Sequence, residues 1–288
     1  MSGLDSIQIR RATPEDVPVC GQVCYDAFSK ITTAHNFPPD FPSVDAARSV
    51  LSMMFSHPGF YCVVAESGGH IAGSNCLDER ASIAGVGPIT VDPSAQNRSV
   101  GRQLMEAVLD RARERRFVGV RLVQAAFHNR SLSLYTKLGF DVREPLACMH
   151  GPAIGSQIEG CVVRPAQPQD LEPCNQLAQR VNGHDRSREL SDAIGQTAVV
   201  VERLGRITGY ATVLGFFGHA VGESNLDLQA LIASAENFAG PGILVPTRNA
   251  EIFRWCLNKG LRVVQPMTLM SMGLYNGPSA AYLPSVTF

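Results

Sequence analysis

The residues from Gln96 to Arg102, Gln-Asn-Arg-Ser-Val-Gly-Arg, have the makings of an anion cradle. Before them, Ile83 to Val91 (IAGVGPITV) is an apolar, glycine-interrupted run that predicts a buried strand, ended by Asp92-Pro93-Ser94. After them comes QLMEAVLDRARERR, in which Val100, Leu104, Val108 and Ala112 share one helical face. A turn of small residues between a strand end and a helix start suits negative charge. The first N–H groups of a helix have no partner within it and point outward, and the helix dipole adds to the attraction. Successive turn N–H groups make a concave nest for phosphate oxygens. Gly101 allows close approach of backbone and ligand, and Arg98 and Arg102 can add charge-assisted contacts. A plain structural strand–turn–helix would show the same local pattern.

The next chemistry-bearing stretch follows a second buried-strand pattern, VGVRLVQAAF (118–127). HNRSLSLYTKLGFDV then runs through a short helix to a Gly-Phe turn and another strand. Tyr135 is either a proton donor or a buried structural tyrosine, and His128 either a proton shuttle or a helix cap. Asp78 and Glu79 follow the strand pattern AGSNCL, where a working carboxylate and a solvated turn are both open readings. The segment DAFSKITTAHNFPPDFPSVDAA (26–47) is rich in Pro and aromatics around His35, Phe37 and Phe41. It suits a semi-rigid flap over a pocket, with structural packing of those three residues as the alternative.

PITVDPSAQNRSVGRQLM followed by HNRSLSLYTKLGF resembles the GCN5-related N-acetyltransferase (GNAT) family over roughly residues 5–150. The resemblance implies acetyl-CoA as co-substrate and no metal. The backbone of Ile89, Thr90 and Val91 would hold the pantetheine arm and the acetyl oxygen. Gln96, Asn97, Arg98, Ser99, Val100, Gly101 and Arg102 would form the pyrophosphate loop, and His128 or Asn129 would touch the cofactor. Tyr135 matches the family's tyrosine and would protonate the departing thiolate, a task suited to a phenol of pKa about 10. Glu79 falls where family bases or water-holding residues occur, and His35, Phe37 and Phe41 would line the acceptor side. Two departures stand out. Ser99 replaces the loop's middle glycine, and His128 occupies the usual position of an asparagine, with Asn129 beside it. The implied reaction is direct attack of a primary amine, of a small molecule or a protein, on the thioester. The rivals are an acyltransferase using a longer acyl-CoA and an acetyl-CoA-binding regulatory sensor.

The chain also repeats itself. Arg10, Ala12, Pro14, Asp16, Cys20 and Gln22 recur as Arg164, Ala166, Pro168, Asp170, Cys174 and Gln176. VVAESGGHIAG (63–73) resembles VVVERLGRITG (199–209), both reading as hairpins with a tight turn between alternating apolar strands, and TKLGFDVREPLACM (136–149) resembles LNKGLRVVQPMTLM (257–270). The expected architecture is therefore α/β with mixed sheets: two tandem GNAT-like folds packed as a pseudo-dimer. A catalytic domain would span 1–150 and a degenerate one 160–288, joined by the Gly-rich linker HGPAIGSQIEG (150–160). In the second copy Asn249 takes the place of His128 and Cys256 that of Tyr135. Only GHAVGE (218–223) stands where the phosphate loop would be, so the fold is expected to persist there without the cofactor. The tail NGPSAAYLPSVTF (276–288) is expected to pack between the domains or near the first domain's pocket.

Composition narrows the class. The 288 residues are 45% hydrophobic and 18% charged, with a formal net charge of −1. That is a globular composition with no polyanion-binding bias, so nucleic acid is not an expected partner. No apolar run is long enough for a membrane span and the N-terminus has no signal-peptide pattern, which with eight scattered cysteines predicts a cytoplasmic protein with reduced, mostly buried thiols. No cysteine–histidine spacing suggests a metal site. The expected state is a monomer with an intramolecular pseudo-dimer, or a homodimer.

Overall fold

The computed structural model of the protein describes residues 6–287. The chain forms two compact units; the first runs to Glu79 and takes in Ala84–Val120. Its elements are β1 (Gln8–Arg11), α1 (Val17–Ala34), α2 (Val44–Ser56), β2 (Phe60–Ser67), β3 (His70–Asp78), β4 (Ala84–Val86), β5 (Thr90–Val91) and α3 (Val100–Glu114). The strand order is β1-β2-β3-β4, antiparallel, with β5 also paired to β3. Gly68 and Gly69, at φ 59° and 77°, make the tight turn of the expected β2–β3 hairpin. Cys20, Val23 and Cys24 of α1 are buried on one face, as are Val100, Leu104, Val108 and Ala112 of α3.

The single strand expected over 83–91 is two strands. β4 pairs with Leu77 and Asp78, and β5 with Gly73 and Ser74, with residues 87–89 between them outside the ladder. Pro88 has no N–H to give a ladder, which favours a break there.

The second unit takes in Arg80–Ile83 and Arg121–Val286. β6 (Gly119–Ala125) crosses into it, followed by α4 (Asn129–Lys137), β7 (Asp141–His150), β8 (Val162–Pro165), α5 (Leu171–Asn182) and α6 (Ser187–Ala193). Then come β9 (Val199–Arg203), β10 (Arg206–Ala211), β11 (Ala220–Gly222), α7 (Asn225–Ser234), β12 (Ile243–Pro246), α8 (Ala250–Asn258), β13 (Arg262–Gly273) and β14 (Ala281–Leu283). One sheet has the order β14-β11-β10-β9-β8, and a second run is β6-β13-β7-β12.

That second run explains a difference from the expected boundary. Ala125 and Pro246, which end β6 and β12, are separated by 246 − 125 = 121 residues, the same offset as His128 and Asn249. So β12 and β13 are the second copy's versions of β6 and β7. β13 lies between β6 and β7, and β7 lies between β13 and β12. Each copy's last strand is exchanged into the other. The β7–β13 ladder runs from Asp141↔Ser271 to His150↔Arg262. It ties residues 121–150 to the C-terminal part, so the compact units part after Val120 and not at 150.

The repeated residues at the starts of the two copies form the same ion cluster. Arg10 donates to Asp16 at 2.7 and 2.8 Å and to Glu66 at 2.7 Å, and the Thr13 N–H donates to Asp16 at 2.8 Å. Arg164 donates to Asp170 at 2.6 and 3.0 Å and to Glu202 at 2.9 and 2.6 Å, and the Gln167 N–H donates to Asp170 at 2.8 Å. Each cluster ties a first strand, the turn after it and a hairpin strand together.

Part of the tail is strand. β14 adds to the second unit's sheet against β11, the Ser279 N–H donates to the Val181 carbonyl at 2.9 Å, and the Val286 N–H donates to the Phe216 carbonyl at 2.8 Å. GHAVGE is likewise no loop: Ala220–Gly222 is strand β11 and His219 is buried. All eight cysteines are free thiols, and all but Cys161 are buried. Among the described residues no helix is long and apolar enough to cross a membrane, and no cluster of metal-ligating side chains occurs.

Two predictions follow from these contacts. Arg10 holds the Asp16 carboxyl below its usual value, as Arg164 does for Asp170. A depressed carboxylate contributes stability above its unfolded pKa and loses it as pH falls through its folded pKa. In urea denaturation, the stability gap between wild type and Asp16→Asn should be constant above about pH 5 and shrink below about pH 4. Deleting residues 277–288 should lower the melting temperature or prevent folding, because it strips β14 from β11 and exposes Ala220 and Leu214 of the core; an unchanged melting curve would contradict this packing.

Candidate active site

The phosphate-loop residues lie in the first unit, and their backbone has the shape the sequence calls for. Asn97 and Ser99 both take positive φ, 67° and 66°. Ser99 is the N-cap of α3 in the left-handed region, so the serine adopts the conformation a glycine would take more cheaply. Its side chain does not cap the helix, and the first turn of α3 holds no acidic residue. Nothing from the helix itself opposes an anion at this end. Asn97, Arg98, Ser99 and Arg102 are exposed, while Gln96 reaches back to donate to the Val91 carbonyl at 3.5 Å. Gly101 lies within the first turn, on a half-buried position.

β5 is placed by its neighbours. The Thr90 hydroxyl, buried, is 3.2 Å from that of Ser74. A Cβ on Gly73 would come within 2.3 Å of the Thr90 carbonyl oxygen and 3.1 Å of Leu104. Only glycine lets β3, β5 and α3 approach this closely. Ile89 and Val91 are half-buried beside Thr90.

The matching helix end in the second unit is built the opposite way. Asp227 sits at the third position of α7, fully buried. Its carboxylate accepts from the Ser224 N–H at 2.9 Å, the Ser224 hydroxyl at 2.8 Å and the Thr208 hydroxyl at 2.6 Å, and Arg203 approaches at 3.3 Å. This helix supplies its own anion. A phosphate there would meet a fixed negative charge and a helix end already capped.

Tyr135, His128 and Asn129 belong to the second unit. Tyr135 is buried against Phe140, ring centroids 6.3 Å apart. Burial pushes its phenol up to about 12, partly offset by a hydrogen bond with Ser131. At neutral pH it is protonated and can only give a proton. His128 is the N-cap of α4: its Nδ1 accepts from the Ser131 N–H at 3.2 Å. Asn249 caps α8 in the same way, accepting from the Ile252 N–H at 3.3 Å. The shared cap confirms the alignment of the two copies, in which buried Cys256 stands at the place of Tyr135. Asn129 begins the helix in an exposed position.

Three expected roles change. Both Glu79 oxygens accept from Arg111, at 2.7 and 3.1 Å, and this carboxylate is engaged in an ion pair instead of being poised as a base. Asp78 is not in a turn but ends β3, buried opposite Phe60. Phe41 is buried and packs edge-on against Phe28 at 5.6 Å, so it belongs to the core and not to an acceptor wall. His35 caps the end of α1 in an exposed position, its ring 3.0 Å from the Ile31 carbonyl, and Phe37 is half-buried. One residue escaped the sequence reading. Gln124 of β6 is buried, and neither end of its amide finds a hydrogen-bond partner among the described residues. A buried amide of this kind calls for a water or a ligand. In sequence it is one polar residue in an apolar strand pattern, and nothing marks it.

With this geometry in view, comparison with known proteins is decisive for one segment. The model of the acetyltransferase (GNAT) family matches residues 25–140. This segment is a GNAT acetyltransferase domain. The fold extends further. A Pyrococcus horikoshii structure assigned as an acetyltransferase matches 93% of this chain over 89% of its own, at 20% identity and a TM-score of 0.70. A GCN5-related N-acetyltransferase from Sphaerobacter thermophilus matches 94% of this chain over 96% of its own, at 15% identity and a TM-score of 0.63. At these identities the likeness is one of fold, and it covers nearly the whole chain, as two tandem GNAT folds require. No curated protein matches the chain.

The loop conformation yields a prediction. Ser99→Gly should raise stability by up to about 1 kcal/mol in chemical denaturation, since glycine enters the left-handed region without the serine's steric cost. A clear loss of stability would mean that the Ser99 side chain contributes a contact that outweighs the strain.

Proposed function

We propose that the protein is an N-acetyltransferase that moves the acetyl group of acetyl-CoA to a primary amine. The observation that carries this reading is the contrast between the two helix ends. The α3 end is uncapped, free of acidic side chains and preceded by two left-handed residues, whereas the α7 end is filled by Asp227. Cofactor phosphates would bind the loop Gln96–Arg102, with the backbone of Ile89–Val91 along the pantetheine arm, and the second copy would serve as scaffold. Membership of residues 25–140 in the GNAT family supports acyl transfer from a CoA thioester.

In the reaction, the neutral amine attacks the thioester carbon, the carbon–sulfur bond breaks, Tyr135 gives its proton to the leaving thiolate, and the proton shed by the acylated nitrogen passes through water to restore the phenol. A phenol kept protonated by burial suits that step. Deprotonation of the attacking ammonium is left to ordered water or to the bulk, since Glu79 is held by Arg111.

Calorimetric titration should show one acetyl-CoA site per chain, abolished by Gly101→Trp and retained in Tyr135→Phe. In single-turnover assays over a panel of amines, Tyr135→Phe should lower the acetyl-transfer rate about 10²-fold. An unchanged rate would remove Tyr135 as the acid, and two acetyl-CoA sites would remove the scaffold role of the second copy.

A further inference from the structure

The helix that carries Tyr135 also carries a hydroxyl one turn earlier. Ser131 and Tyr135 stand four residues apart on one face of α4. Helical side chains lean toward the N-terminus, so the tyrosine reaches back over the serine. A hydrogen bond links the Ser131 hydroxyl to the phenol and favours the phenolate, to which the serine donates. Ser131 is itself fixed, because its N–H donates to His128 Nδ1 at 3.2 Å. At the other end of the helix the Tyr135 carbonyl accepts from the Phe140 N–H at 3.0 Å. Backbone hydrogen bonds therefore hold both residues independently of the contact between hydroxyl and phenol.

The second copy lacks both groups. At the offset of 121 residues, Gln124, Ser131 and Tyr135 correspond to Val245, Ile252 and Cys256. The helix caps fix this alignment, since the Ile252 N–H donates to Asn249 as the Ser131 N–H donates to His128. Val245, Ile252 and Cys256 are fully buried and belong to one hydrophobic cluster. On β6 and α4 each of the three positions carries a polar group instead. The Gln124 amide is buried, with no hydrogen-bond partner for either end among the described residues. Polar groups at positions that can be sealed with apolar side chains cost stability. The hydroxyl at 131 and the phenol at 135 are present together in one copy and absent together from the other.

The consequence rests on the reading of Tyr135 as the acid. Once its proton has gone to the thiolate, Tyr135 is a phenolate on a side chain only 6% exposed. Burial disfavours that charge, and each new turnover needs the phenol again. Ser131 is half-buried, closer to solvent than the ring it touches. We propose that Ser131 is a positioning residue for Tyr135: its hydroxyl donates to the phenolate as this forms, then passes its proton across and takes another from water. The Ser131 O–H bond breaks as the Tyr135 O–H bond forms. A new Ser131 O–H bond then forms with the proton that the acylated nitrogen has shed to water, so both side chains end the cycle as they began it.

Ser131→Ala tests this in the full-length protein. It keeps the N–H that His128 accepts and introduces the best helix former, so α4 stands. With acetyl-CoA and the panel of amines it should lower kcat about tenfold and leave the KM for acetyl-CoA unchanged. Ser131→Thr, which restores a hydroxyl, should recover most of the rate. In the Tyr135→Phe protein the Ser131→Ala change should have no further effect, because the two residues act as a unit. A fluorinated tyrosine incorporated at position 135 and followed by fluorine NMR without substrate should titrate at higher pH in Ser131→Ala than with Ser131 in place. The proposal is overturned if that titration does not move, if Ser131→Ala keeps the wild-type kcat while Tyr135→Phe is slow, or if the losses of the two variants add. A Tyr135→Phe protein as fast as the wild type removes the acid itself, and this proposal with it.

Discussion

The antiparallel ladder between β7 and β13 is the constraint on which the second unit is built. Each of these strands closes one copy of the repeat, and each is inserted beside the penultimate strand of the other copy. Strand exchange of this kind leaves neither copy complete alone. It also sets α4 and α8, the helices that lead into the two exchanged strands, in equivalent places. Their caps, His128 and Asn249, and their buried residues, Tyr135 and Cys256, can then be compared position by position.

The two copies diverge at one helix end, and the divergence is electrostatic. Both keep a glycine on the hairpin strand that faces the helix: Gly73 against Leu104 and Thr90, Gly209 against Asp227. Both therefore bring the helix close to the sheet. In the first copy the helix opens on left-handed Ser99 with no acid in its first turn; in the second, Asp227 is drawn into that end and satisfied by Ser224, Thr208 and Arg203. A single carboxylate is enough to turn an anion-attracting end into a self-capped one. The two copies thus share a scaffold and differ in the charge that one turn of chain places at a helix end.

Polar groups in the second unit are concentrated rather than scattered. Arg186, Glu189, His219 and Tyr210 form one buried chain of hydrogen bonds beside Arg121. A buried network of this sort is costly unless every member is satisfied. In this cluster Glu189 is held by both Arg186 and His219, and His219 in turn by Tyr210.

Periodicity and motif order were enough to place the strand–turn–helix of residues 83–114, the short helix before Gly139, the β2–β3 hairpin and its β9–β10 counterpart, because these depend on local pattern and turn chemistry. The internal repeat was readable for the same reason, and its most regular residues, Arg10, Asp16 and Glu66 with their counterparts, are those that form an ion cluster in each copy. Tertiary structure decided the rest. It broke the strand at Pro88, because pairing with β3 on both sides of the break is a long-range matter. It committed Glu79 to Arg111, 32 residues away in sequence, and Phe41 to Phe28. It put Asp227 in the helix end, Gln124 in the interior and Arg121 beside Arg186. Burial and charge pairing of this kind depend on residues far apart in the chain, and no local pattern encodes them.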